Sequence, residues 1–446
     1  RADGDGLAHE GRWRVGETGT DDALAAPAVA ASGSHALTRA IDRAGQGRGL
    51  DTKQLVRLFE ARGAEVADVA RAADDLRRAV NGEMVTYVVT RNINYTNICA
   101  YSCAFCAFSK GSRDEALRGR PYDLTMEEIV RRASEAWERG ATEVCMQGGI
   151  HPDYSGRTYL EICRAVKEAV PGLHIHAFSP LEVSQGAESL GLPVPDFLVQ
   201  LKDAGLGTLP GTAAEILEDR VRDILCPGKL GTEGWLSVVR HAHEVGFRTT
   251  ATIMFGHVET YRDWALHLNR LRALQDATDG FTEFVPLPFV HMEAPLYRRG
   301  RARQGPSFRE AVLMHAVARL ALHGAISSIQ TSWVKMGPEG VARALAAGAN
   351  DLGGTLMNES ISRAAGTTHG QECPPQRMEA MIEAAGRVPR QRTTLYGDPP
   401  EGQVRRSFAA EPLTDTVSDP VLKRARIGSR KAMDEVRHAV EEPAEG

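Results

Sequence analysis

Cys99, Cys103 and Cys106 stand on one short stretch, Asn97-Ile98-Cys99-Ala100-Tyr101-Ser102-Cys103-Ala104-Phe105-Cys106, in a C-x3-C-x2-C spacing. Three thiolates on one loop can hold three irons of a 4Fe-4S cube and leave the fourth without a protein ligand, and an open iron is a reactive iron. Thiolate sulfur suits zinc as well, but structural zinc sites are normally closed by four protein ligands. No fourth Cys or His follows at ligand spacing, and the next histidine, His151, lies beyond an expected helix and strand. The spacing points to a cluster open to an outside ligand. A non-enzymatic zinc- or Fe-S-binding protein is the alternative from a different class.

The elements around the cysteines are those of an α/β barrel. From Met84 short β-branched runs alternate with amphipathic helices, and strands are expected at 84–90, 142–147, 173–178, 204–209, 247–254, 281–287, 325–332 and 349–356. The intervening helices include 125–139, 213–225, 233–245 and 308–323. Strands alternating with helices imply a parallel sheet, and eight repeats imply a closed (βα)8 barrel of the TIM type. Reacting groups in such a barrel cluster at the C-terminal strand ends, and the cysteine loop directly follows the first strand. Residues 1–34 read as a disordered linker, 35–83 as a helical segment, 84–387 as the barrel core and 388–446 as a surface tail rich in proline and charge, with room for a short helix near 431–440. In the helical segment Asp51 or Thr52 can cap a helix ending at Gly63, and Val66, Val69, Ala73, Leu76 and Val80 stripe a second that stops at Gly82.

A net charge of −5 over 446 residues shows no basic excess, which argues against a nucleic-acid partner. No run approaches the roughly 18 apolar residues that span a bilayer, and no signal-peptide pattern opens the chain, so a cytoplasmic location is expected. Seven cysteines, an odd number, do not form a disulfide framework. Cys145, Cys163, Cys226 and Cys373 read as small buried hydrophobes. A start at Arg1 suits a trimmed chain or the C-terminal part of a longer one.

Other strand ends carry polar candidates. Met146-Gln147-Gly148-Gly149-Ile150-His151-Pro152 closes the second strand, where paired glycines let backbone approach a ligand or simply make a tight turn. His257 and Glu259 follow the fifth strand and Glu283 lies in the sixth; each could bind substrate or move a proton, or merely solvate the rim. His174 and His176 share a strand face but suit a core role better than a second metal site, and His241 and His243 point different ways on a helix.

With an aromatic residue directly before its last cysteine, the loop resembles that of the radical S-adenosylmethionine (SAM) enzymes. The stretches 91–99, 106–111, 251–259 and 354–361 are similar to the deazaflavin and futalosine branch of that superfamily, most of all to its 4-hydroxyphenyl transferases, over roughly residues 50–387. The resemblance implies one 4Fe-4S cluster on Cys99, Cys103 and Cys106. S-adenosyl-L-methionine would chelate the open iron and be cleaved, on receipt of an electron from a donor the sequence does not identify, to a 5′-deoxyadenosyl radical. It implies Gly148 and Gly149 at the amino group of the methionine moiety, and Ser179 and Glu182 at its ribose or carboxylate unless Glu182 is a plain helix-start carboxylate. It also implies Phe105 near the adenine, unless the ring only plugs the loop. The implied substrates are L-tyrosine and 5-amino-6-(D-ribitylamino)uracil. Hydrogen is taken from the tyrosine amino group, the Cα–Cβ bond breaks, and the 4-hydroxybenzyl fragment joins C5 of the uracil in coenzyme F-420 biosynthesis. A sister radical SAM cyclase, as a domain or a subunit, then closes the deazaflavin ring. An aminofutalosine synthase of menaquinone biosynthesis is the alternative within the branch, and the sister cyclase another.

Overall fold

A computed structural model describes Val15, residues 35–109 and 121–411, and Leu413. The expected linker at 1–34, Val15 apart, the end of the stretch 106–111 at Lys110 and Gly111, and the expected helix near 431–440 lie outside the described residues. No helix among the described residues is long and apolar enough to cross a membrane.

Among the described residues nine strands follow in chain order: β1 (Met84–Val88), β2 (Thr90–Ile93), β3 (Glu143–Met146), β4 (His174–Ala177), β5 (Thr208–Leu209), β6 (Arg248–Phe255), β7 (Phe281–Pro288), β8 (Asp351–Gly354) and β9 (Val388–Arg392). β2 to β7 lie side by side in that order, every pair parallel. Isolated parallel bridges carry the curl onward, from Phe284 to Ile329, from Gln330 to Asp351, and from Arg91 back to Met357. β1 and β2 are two halves of one extended segment, so eight parallel positions close the ring that the alternation implied. The seventh position is a bridge at 329–330 rather than a strand over 325–332. The fourth is only two residues, because Ala204 to Gly207 turn out of the preceding helix, with Gly205 at a φ of 100° that a side chain would resist.

Local rules place most helices. Thr125 caps Met126–Glu138 by accepting from Glu128 N–H at 3.2 Å. The helix expected over 213–225 forms only at Asp219–Leu225. Its first residues are drawn into a loop with Ala213 and Glu215 at positive φ, held by the Arg222 guanidinium, which donates to the carbonyls of Ala213, Ala214 and Leu230. Tertiary hydrogen bonds here override helix propensity. α1 (His35–Gly45), α2 (Thr52–Phe59) and α3 (Ala64–Asn81) form the N-terminal segment, and Asp51 with Gln54 closes a capping box on α2. These helices cover Phe308–Leu322, whose residues from Arg309 onward are all buried. A helix apolar nearly all round needs cover on both sides, and the ring supplies only one.

The stretch expected as a surface tail begins instead with β9, which pairs with β1 from Met84↔Val388 to Val88↔Arg392. It fills the place beside β1 that β3, starting only opposite Thr90, leaves vacant. Arg392 turns into the ring: its Nε lies 2.6 Å from Asp351 Oδ2, and its Nη2 lies 3.0 Å from Asp351 Oδ1 and 3.1 Å from Glu283 Oε2. The Tyr396 hydroxyl donates to Glu283 at 2.6 Å, and the Tyr396 ring lies 4.1 Å from the guanidinium. Glu143, His174, Thr208 and Asp351 open their strands and Glu283 stands two residues into β7, so these groups form a polar floor at the end of the ring opposite the cysteine loop. Proline and charge signal a surface only when the charge has no buried partner, and here two acids from distant strands await it.

Buried neutral histidines make this fold acid-sensitive. Burial pushes His174, His243 and His315 down to about 4 and His267 to about 3. His267 shows why: Nδ1 accepts from Leu217 N–H at 2.9 Å and Nε2 faces the Thr252 carbonyl at 3.0 Å, leaving no place for a second proton. These folded-state values lie below the unfolded value near 6.5, so their stability is fully present above that pH and is lost as pH falls toward 4. Glu283, pushed up to about 7 by burial and Asp351 against the pull of Arg392, and Glu182, which burial also raises, act in the opposite direction, two groups against these four. Each histidine contributes on the order of 2 kcal/mol over that window. The apo-protein melting temperature should therefore fall steadily from pH 7 to pH 4.5, and a flat profile would contradict the assignment.

Candidate active site

The cysteine loop leaves β2 and is fastened over the mouth of the ring by its backbone. Ala100 N–H donates to Ile150 O at 2.7 Å and Gly149 N–H to Thr96 O at 2.9 Å, tying it to the end of β3. Ala104 N–H donates to Leu225 O and Ala104 O accepts from Leu296 N–H, both at 2.7 Å, so loops from the fourth and sixth positions clamp it from the far side. Two sulfurs accept backbone hydrogen bonds, Cys99 Sγ from Ile150 N–H at 3.4 Å and Cys106 Sγ from Ser109 N–H at 3.3 Å. Burial pushes the Cys99 thiol up and the Cys103 thiol up to about 12, with nearby Lys229 pulling the other way. Among the described residues no three His, Cys, Asp or Glu side chains are gathered as a single-ion site. All three cysteines line one pocket with Phe105, Gly148, Gly149, Ser179 and Glu182, so the structure brings together these eight residues from the ends of the first three strands.

The glycines are needed by the loop itself. A Cβ on Gly149 would fall 2.2 Å from the Ile98 carbonyl oxygen, and one on Gly148 would fall 2.3 Å from the Tyr95 ring. Glu182 is the acid of a capping box on Pro180–Ser189, accepting from Ser179 N–H at 2.7 Å and Ser179 O–H at 2.6 Å. It also accepts from Gly148 N–H at 3.2 Å and from the Tyr95 hydroxyl. Four donors fill the acceptor sites of one carboxylate, so Glu182 ties the strand-two glycines and the cysteine loop to the third strand.

His257, Glu259 and Glu283 are not among the residues lining this pocket. The His257 and Glu259 side chains have no exposed surface. Glu259 accepts from the N–H groups of Gly256, His257 and Val258 and from Trp264 Nε1; His257, then the Gly256 N–H and Arg303, hold its carboxyl well below the usual range despite burial. Glu283 belongs to the floor. The geometry therefore gives these three side chains scaffold contacts and places none of them on the wall of this pocket. His174 and His176 do share a face, both meeting Thr208 Oγ1, at 2.8 and 2.7 Å.

Two lysines in the pocket wall escaped the sequence reading. Lys229 lies 3.4 Å from Glu215 and 5.5 Å from the centre of the Phe105 ring. Burial works against its ammonium, yet Glu215 and the neighbouring cysteines keep it charged. Lys335 follows the seventh ring position and donates to Ser362 Oγ at 2.9 Å. A signal for it existed: a lone cation inside the apolar run Trp333-Val334-Lys335-Met336, just past an expected strand end.

A parallel ring with a three-cysteine loop at its C-terminal mouth defines the radical SAM class of enzyme, and residues 93–271 match the model of the radical SAM superfamily. Residues 278–402 match the CofH/MqnC C-terminal region, which takes in β9 and Arg392. The 5-amino-6-(D-ribitylamino)uracil--L-tyrosine 4-hydroxyphenyl transferase of Methanopyrus kandleri is 51% identical over 328 residues, covering 74% of this chain and 88% of that one. The chain belongs to the radical SAM superfamily and, within it, to the family of that transferase. FO synthases of Streptomyces avermitilis and Mycobacterium tuberculosis are 50% and 53% identical, covering 81% and 76% of this chain. The chain spans 42% and 39% of their respective lengths. Among solved structures, methylornithine synthase aligns with a TM-score of 0.62 at 19% identity, covering 79% of this chain and 97% of that one. A maturase of the [FeFe]-hydrogenase aligns at 0.63 and 14%, covering 83% and 78%, and both likenesses concern the fold. Membership of the superfamily implies a 4Fe-4S cluster and SAM.

Proposed function

We propose that this chain joins the 4-hydroxybenzyl group of L-tyrosine to 5-amino-6-(D-ribitylamino)uracil, the reaction named for its relative that is 51% identical over 88% of that relative's length. That relationship, combined with a three-cysteine loop at the mouth of the ring, carries the reading. The donor set suits a cubane: three soft thiolates on one loop, two of whose sulfurs already accept backbone N–H groups, one from Ser109 on the loop and one from Ile150 beyond β3. Cys99, Cys103 and Cys106 would hold three irons, with Gly148, Gly149 and Ser179 on the side where the methionine moiety would lie and Phe105 beside the adenine. A reduced cluster with SAM supplies a 5′-deoxyadenosyl radical. The protein's own task is to orient two substrates above that source and keep water out. Glu182 keeps the strand-two glycines in register with the cysteine loop, and Leu287, Phe289, Val290 and Ile361 supply an apolar wall for a phenol ring. An electron donor is required, and a radical SAM cyclase, as a domain or a separate subunit, would take the product onward.

Anaerobically reconstituted protein given SAM, a reductant, tyrosine and the ribitylaminouracil should release 5′-deoxyadenosine together with an adduct whose mass is the uracil plus a hydroxybenzyl group. Deoxyadenosine formation that requires an enolpyruvyl substrate instead, with no adduct from tyrosine, would assign the chain to the futalosine side of the branch. Stoichiometric zinc and no cluster absorbance would remove the enzyme reading.

A further inference from the structure

The pocket has a second charged end, away from the cysteines. In an eight-position ring the seventh position faces the third, so Lys335 lies across the mouth from Ser179 and Glu182 while lining the same pocket. Around it the wall is mainly apolar, from Leu287 and Phe289 to Ile361 and Ala365. An ammonium carries three donors, and the hydrogen bond that Lys335 makes among the described residues is to a neutral hydroxyl, Ser362 Oγ, at 2.9 Å. Glu359 is the acid that acts on it, but both Glu359 oxygens are taken by Ser362 N–H at 3.0 Å, and one also by Arg363 N–H at 3.3 Å. Burial disfavours the charge. A mostly buried cation hydrogen-bonded to a neutral hydroxyl, with its acid Glu359 engaged by backbone N–H groups, gains from a ligand that brings a carboxylate to it.

The substrates of the proposed reaction differ in what they can bring. The uracil has no carboxylate, and the carboxylate of SAM would be engaged at the cluster held by Cys99, Cys103 and Cys106. Only the amino-acid substrate has one to spare. We propose that Lys335, positioned by Ser362, is the subsite for the α-carboxylate of the amino-acid substrate and selects tyrosine over uncharged or decarboxylated analogues. This inference rests on the functional reading above and adds to it the residue that distinguishes an amino acid from an amine. The phenol would then lie along the apolar wall, with its amino group toward the middle of the pocket.

The test compares tyrosine, tyramine and tyrosine methyl ester as triggers of deoxyadenosine formation in reconstituted wild-type enzyme and in Lys335→Met and Lys335→Arg. Wild-type enzyme should need at least about 10-fold more tyramine or ester than tyrosine, the size of a charged hydrogen bond. Lys335→Met should raise the KM for tyrosine about 10- to 100-fold, leave the KM for the ribitylaminouracil unchanged, and bring tyrosine and tyramine to near equality. Lys335→Arg should restore much of the preference. Equal use of tyrosine and tyramine by the wild-type enzyme overturns the subsite, and that comparison needs no variant to fold. An unchanged preference in Lys335→Met also overturns it while leaving the functional reading intact. A wild-type enzyme that ignores tyrosine overturns the functional reading itself.

Discussion

Alanine at Cys99, Cys103 or Cys106 should each reduce deoxyadenosine and adduct formation by at least about 10³-fold, because the hard chemistry is the cofactor's and two thiolates do not retain a cubane. Iron content should fall in parallel. The fold should survive, with the apo-protein melting within a few degrees of wild type. The loop is held by Ala100 N–H on Ile150 O, Gly149 N–H on Thr96 O and Ala104 N–H on Leu225 O, none of which uses a sulfur. Cys163→Ala is the control, since that residue is fully buried in the core: it should lose some stability and keep its iron. The discriminating observation is the pattern. Normal deoxyadenosine formation by any one of the three loop variants would end the assignment of that cysteine, and by all three the assignment of the protein.

Arg392→Met should cost about 3–5 kcal/mol, the usual consequence of leaving buried acids without their cation. Asp351 and Glu283 accept three hydrogen bonds from that guanidinium inside the ring, at 2.6 to 3.1 Å. For a chain of this size the melting temperature should fall by about 3–5 °C. The pH dependence identifies the cause. Arg392 holds Glu283 down to about 7 against burial; without it the carboxyl keeps its proton to higher pH while the unfolded chain is ionised, so above pH 7 the variant goes on losing stability where wild type no longer does. The gap between variant and wild type should therefore be larger at pH 8 than at pH 5.5. Adding Glu283→Gln should recover a substantial part of the loss at pH 8. A gap that does not change with pH, and no recovery in the double variant, would mean that Arg392 acts through packing alone.

Neither experiment was equally visible in the chain. The three cysteines announce themselves because cluster chemistry demands particular atoms at short spacing, and short spacing survives any fold. Period and caps gave most of the barrel for a similar reason: Asp51, Thr125 and Ser307 each cap the helix they precede through bonds within four residues. Positions whose state depends on distant partners were legible only in part. Residues 213–218 look helical, but Arg222 and His267 hold them in a loop. Glu182 reads from the chain as a cofactor contact or a helix cap, and nothing local announces that Tyr95 and Gly148 share its oxygens.

The sequence by itself determined the chemistry of the cysteine loop, the α/β alternation and the resemblance to the radical SAM enzymes, because each depends on residue type, local spacing or a run of neighbours. Only the tertiary structure decided that His257, Glu259 and Glu283 are buried among scaffold contacts away from the cysteine pocket, that Arg392 closes the floor, and that Lys335 comes to line that pocket. These are questions of which far-apart charges meet in a place without water. Burial sets what a charged group can do, and burial is a property of the assembled ring rather than of any segment of the chain.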